Sequence, residues 1–186
     1  KALTATEVKE LYSGASVPYK YKGANQTDLV TNGDMELDSD WTDLNTPSTN
    51  ERSNEQAHTG TYSRKSISGG DYKGFEQSSI AVTIGKKYRV SAWVYGDATN
   101  YVAARALATA ENWFIGSSND GVIVPATWTQ YSLEFTADDS SVDIQFMQGD
   151  AGGNVTFYVD DVTLTQIGAV AEYDGSTAGA HQWGDK

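Results

Sequence analysis

Across residues 28–167 the chain alternates apolar and polar positions in short runs, broken at intervals by turn residues. In Lys87–Tyr95 (KYRVSAWVY), Tyr88, Val90, Ala92 and Val94 fall on one face of an extended strand. Arg89, Ser91, Trp93 and Tyr95 fall on the other. The same two-residue period turns Tyr131, Leu133 and Phe135 toward a core, and likewise Val142, Ile144 and Phe146. Further candidate strands cover 29–30, 41–44, 62–67, 75–82, 101–107, 113–115, 127–135, 142–147 and 155–166. Asn32-Gly33, Gly69-Gly70, Gly96-Asp97 and Gly152-Gly153 punctuate them. Short one-sided strands without intervening helices predict an all-β fold, an antiparallel β-sandwich or jelly roll.

Outside this region the pattern changes. In residues 3–14 (LTATEVKELYSG), Thr4 and Glu7 form a capping box, with Leu3 and Val8 as the hydrophobic staple around it. Val8, Leu11 and Tyr12 make one apolar stripe that stops at Gly14, which predicts a short N-terminal helix. Residues 15–27 are mostly polar, contain Pro18 and Gly23, and show no period; they read as a linker. The expected organisation is therefore 1–14 as the end of an upstream module, 15–27 as linker and 28–167 as the sandwich. Residues 168–186 read as a linker and the start of a downstream module.

Charge narrows the choice of partners. Twenty-five acidic and 13 basic side chains give a formal net charge of −12, and no basic stripe is present to neutralise phosphates, so no nucleic-acid partner is expected. The absence of cysteine excludes disulfides, thiolate nucleophiles and Cys-based zinc sites. His58 and His181 are the only histidines and lie far apart in sequence. No apolar run approaches the ~20 residues that span a bilayer, and the amino terminus lacks the features of a secretion signal. The chain reads as soluble, with no membrane partner. Eleven Tyr and five Trp dominate the aromatics, and Trp93 and Tyr95 point away from the predicted core. Such rings stack on ligands.

Three segments, in order, resemble carbohydrate-binding modules of the family 4/9/16/22 type. They are Leu29-Val30-Thr31-Asn32-Gly33-Asp34-Met35-Glu36 followed by Trp41, then His58-Thr59-Gly60-Thr61-Tyr62-Ser63, then Thr156-Phe157-Tyr158-Val159-Asp160-Asp161-Val162-Thr163-Leu164. The resemblance implies a ligand cleft lined by Trp93, faced by an aromatic on a later strand, Trp113 or Phe114. Tyr95, Tyr101 and Arg105, with Gln145 and Arg89 as weaker companions, complete the ligand-binding set. Trp41, Trp128 and His58 are assigned to structure. The resemblance also implies a structural calcium ion on the side chains of Glu36 and Asp160, with carbonyls near Asp34, Gly60 and Ser63, and that of Asp160, completing the shell. Calcium takes roughly 6–8 oxygens, and two carboxylates meeting between the first and last strands repel each other without a cation. Asp161, one residue on, is expected to face elsewhere. The blander alternatives are solvated acids at Glu36 and Asp160, and rings covered by other parts of the chain at Trp93 and Trp113.

The terminal segments are similar, more loosely, to the last helix and the start of laminin-G/concanavalin-like jelly rolls. This implies a modular viral (phage-like) or secreted parent protein, extracellular or virion-associated. The function read from the sequence is a non-catalytic module that binds a polysaccharide or cell-surface glycan. The alternatives are a structural spacer of a viral or surface fibre without ligand binding, and a glycan-cleaving enzyme domain. No nucleophile–base constellation is visible, and Asp38, Asp40, Asp120, Asp138, Asp139 and Asp150 sit in turn-like contexts, so no enzyme is expected.

Overall fold

The computed structural model describes residues 27–149 and 154–167, with two short strands at 19–22 and 170–173. The described strands are β1 (Tyr19–Lys22), β2 (Thr42–Leu44), β3 (Thr49–Ser53), β4 (Ser63–Ile67), β5 (Gly74–Ala81), β6 (Lys87–Tyr95) and β7 (Tyr101–Leu107). They continue with β8 (Glu111–Ile115), β9 (Val122–Ile123), β10 (Thr129–Thr136), β11 (Ser141–Gln148), β12 (Thr156–Ile167) and β13 (Val170–Tyr173). No helix occurs among the described residues, and the predicted one over 1–14 lies outside them.

The chain divides into two units, Thr27–Gln166 and the paired terminal segments. In the terminal unit β1 runs antiparallel to β13, Tyr19 opposite Tyr173 and Lys22 opposite Val170. The segment read as a linker thus contains a strand, four residues long and too short for a period to stand out.

The larger unit is an antiparallel β-sandwich of the jelly-roll kind. One sheet has the order β10-β6-β12-β4-β3; the other has β2-β5-β11-β7-β8, with β9 also pairing β7. The alternation read in β6 holds: Tyr88, Val90, Ala92 and Val94 are buried between the sheets. β11 supplies Val142, Ile144 and Phe146 from the other side. Stacked Phe75, Phe146 and Phe157, with Trp41 and Phe114 set edge-on, fill the middle. Aromatic pairs in these geometries add to the burial they already represent. Phe114 is therefore core, not ligand surface.

Two described strands of the sandwich have no signature in the sequence. β3 (TNERS) has no apolar residue and is held at the sheet edge by pairing with β4. β9 is a two-residue piece against Tyr101 and Val102.

β12 carries a break that alternation does not announce. Phe157 and Val159 face the core before it, Val162 and Leu164 after it. Between them Asp161 adopts φ +46°, a left-handed conformation that inserts one residue and reverses the phase, as in a β-bulge. Residues 28–33 run beside this strand, with Leu29 N donating to the Leu164 carbonyl and Val162 N to that of Gly33.

Candidate functional site

The outer face of the six-stranded sheet carries a row of side chains in register across five strands. Thr42 on β2 faces Glu76 on β5, Gln145 on β11, Arg105 on β7 and Trp113 on β8. At the usual strand spacing the row is about 19 Å long. The side chains are linked. Gln145 Nε2 donates to Glu76 Oε2 at 2.6 Å, and Arg105 Nε donates to Gln145 Oε1 at 2.8 Å. Arg105 Nη1 donates to Glu111 Oε1, and its guanidinium carbon lies 5.0 Å over the centre of the Trp113 ring. Every member of the row from Glu76 to Trp113 is thus held in one orientation.

Part of this face is covered. Ala103, Met147 and Gln145 point away from the core, yet they are 0%, 1% and 5% exposed. On an open sheet face they would be wet. A surface that combines a flat indole, a guanidinium, an amide and carboxylates suits a ligand with one apolar face and a rim of hydroxyls. Tyr101 lies four residues from Arg105 along the same strand face and is exposed.

Of the expected ligand set, Tyr101, Arg105, Trp113 and Gln145 gather on this sheet. Trp93 and Tyr95 do not join them. They lie on β6, on the outer face of the five-stranded sheet, with the core between. Trp93 and Trp113 therefore do not face each other across a cleft. His58 stacks on Trp93, ring centroids 3.9 Å apart and planes 16° apart. Trp128 meets His58 and Tyr95 edge-on, and Tyr95 meets Tyr158 the same way. Glu76, Glu111 and Thr42 carried no signal in the sequence, because only strand register reveals that they neighbour Gln145, Arg105 and Glu76 respectively.

Glu36 and Asp160 converge on one loop. Asp160 is fully buried. Its Oδ2 accepts from the backbone N–H of His58 at 2.8 Å and Thr59 at 3.2 Å, and its Oδ1 from that of Asp161 at 2.8 Å. Burial pushes its carboxyl up to about 6, against the downward pull of those hydrogen bonds. Glu36 Oε1 accepts from the N–H of Thr61 at 2.7 Å and Tyr62 at 3.0 Å, and those two bonds hold its carboxyl below the usual range. The two carboxylates grip opposite ends of residues 58–62. Between them Gly60 has φ +61°, and a Cβ there would stand 2.1 Å from Glu36 Oε1.

Ser63 is buried and donates its hydroxyl to the Gln56 carbonyl at 2.5 Å, while Asp34 is exposed. The donors at this corner are all oxygen, which fits a hard cation such as calcium. Among the described residues no three His, Asp or Glu side chains cluster for a metal, so backbone carbonyls would have to complete a shell. Asp161 does not face elsewhere as expected. The bulge turns it back to the same loop, where its Oδ2 lies 2.6 Å from His58 Nδ1 and its Oδ1 accepts from Thr59 Oγ1 at 2.7 Å.

No curated protein matches the sequence. Solved structures of similar fold include the CBM22-1 xylan-binding domain of Xyn10C from Paenibacillus barcinonensis, at 15% identity and TM-score 0.60, covering 78% of this chain and 97% of that one. A family 16 carbohydrate-binding module superposes with TM-score 0.55 at 24% identity, covering 74% and 99%. The enzymatically active domain of bacteriophage CBA120 tailspike protein 4 does so with TM-score 0.53 at 20% identity, covering 75% of this chain and 21% of that one. These likenesses show the fold. The family described as a carbohydrate binding domain, of types 4 and 9, matches residues 27–153. The chain belongs to that carbohydrate binding domain family.

Proposed function

We propose that the chain is a non-catalytic carbohydrate-binding module whose glycan lies along the row from Thr42 to Trp113. The observation that carries this reading is Arg105, fixed over Trp113 by Gln145 and Glu111 on an outer sheet face. A sugar would set C–H groups against the remaining indole surface and exchange hydrogen bonds with the guanidinium, the Gln145 amide and the two glutamates. The similar fold of a xylan-binding domain makes xylan the first ligand to try. Affinity electrophoresis on soluble xylan, mixed-linkage β-glucan and galactomannan tests the reading. Retardation that Trp113→Ala reduces supports it; retardation that Trp113→Ala leaves unchanged, or unretarded migration in every glycan, overturns it.

A structural calcium ion at Glu36 and Asp160 belongs to the same proposal. It is supported by the all-oxygen donors and by the grip of both carboxylates on one loop. The setting we propose is a larger multidomain protein, extracellular or virion-associated, in which weak single sites gain strength by avidity.

The alternative is a spacer without ligand binding. It predicts covered rings at Trp93 and Tyr95, and His58 does lie on Trp93. The linked row on the opposite sheet has no purpose in that alternative.

A further inference from the structure

The outer face of the five-stranded sheet shows small side chains ranked between large ones. Arg89 on β6 faces Glu134 on β10, and the two form an ion pair. Two residues further along β6, Ser91 faces Ser132, and Ser91 Oγ lies 2.8 Å from Thr163 Oγ1 on β12. Two residues further again, Gln130 faces Trp93. Successive rows are about 7 Å apart along the strands, so a row of two serines and a threonine between bulky rows must sink. The result is a trough of about 610 Å³ across β10, β6 and β12, within the size range of small-ligand sites.

We propose that this trough is a second saccharide site, separate from the Trp113 row. Its floor of three hydroxyls offers both donors and acceptors. Arg89 and Glu134 cancel each other's charge, so the trough attracts neither an anion nor a cation strongly. The lining is polar apart from Leu133, which is partly buried against the core. An uncharged ligand rich in neighbouring hydroxyls matches this chemistry. A module with sites on both outer faces would hold two glycan strands at once, and so cross-link them.

The test is amide-resolved NMR titration of the whole chain with xylohexaose and with mixed-linkage β-glucan oligosaccharides. The expected result is two groups of shifted amides, one on β5, β7, β8 and β11 and one on β6, β10 and β12. Trp113→Ala should remove the first group alone. Ser132→Tyr, which fills the trough from an exposed position, should weaken the second at least tenfold and spare the first. Thr163→Val, which removes a hydroxyl without adding bulk, should weaken the second group as well.

Shifts confined to the six-stranded sheet in the unaltered protein would overturn the second site and leave the first standing. So would a second group that vanishes with Trp113→Ala, or β10 shifts that follow protein concentration without sugar, since those report self-association. Shifts confined to β6, β10 and β12 in the unaltered protein sink the Trp113 reading and spare the trough. No shift anywhere overturns both.

Discussion

The imidazole of His58 lies flat on the indole of Trp93, centroids 3.9 Å apart, while its Nδ1 reaches Asp161 at 2.6 Å. One ring thereby fastens the loop at 58–62 to two neighbouring strands, β6 and β12. Trp93 serves as the seat for that loop.

His58→Ala should consequently destabilise the fold by about 1–2 kcal/mol, the size of a lost aromatic contact and hydrogen bond. Trp93→Ala should cost about 3 kcal/mol, the lower end for a large-to-small change because the ring is only half-buried. Neither should weaken glycan binding at the Trp113 row. Urea unfolding midpoints and affinity electrophoresis on the same variants check both statements.

Arg105→Lys keeps the charge and loses the fork that reaches Gln145 and Glu111 together. Glycan affinity should fall about tenfold, or about 1.4 kcal/mol, with the fold retained. Isothermal titration of the two proteins under one set of salt conditions measures it; equal affinities would remove Arg105 from the site.

Gly60→Ala should destabilise by about 2 kcal/mol, because a side chain at φ +61° is strained and its Cβ would displace the Glu36 carboxylate. Gly85, at φ +78° with nothing within 4 Å of a Cβ, is the control. Gly85→Ala carries the backbone strain alone and should cost about 1 kcal/mol. Thermal melts of the two variants should differ in that order.

Chelation should lower the melting temperature and added calcium should restore it. A ligand at a hundred times its Kd contributes about 2.7 kcal/mol, so the shift is measurable by calorimetry. Asp160→Asn should melt at the same temperature with or without calcium. An unaltered protein indifferent to chelator removes calcium from the account.

The sandwich was legible because β6 and β10 each bury one face more deeply than the other, and hydrophobic alternation reports that contrast. It reports nothing about what covers an outward face. Trp93 and Trp113 both alternate outward, and only the assembled sheets separate the ring beneath His58 from the ring beneath Arg105. Register is equally silent in one dimension. Glu76 and Gln145 are 69 residues apart, and their hydrogen bond exists because β5 and β11 pair. Alternation misplaces Asp161 for a related reason, since it assumes ordinary backbone, and the φ of +46° there breaks that assumption.

That break in β12 has a further effect. A regular strand can creep by two residues along its neighbours and still bury the same kind of side chain, since inward and outward positions repeat. β12 cannot. Its two halves are out of step, so any slide carries the kink away from His58 and Thr59 and leaves Asp160 without their amides. The strand has a single resting place, and the kink works as a ratchet pawl that keeps the assembled sheet from slipping.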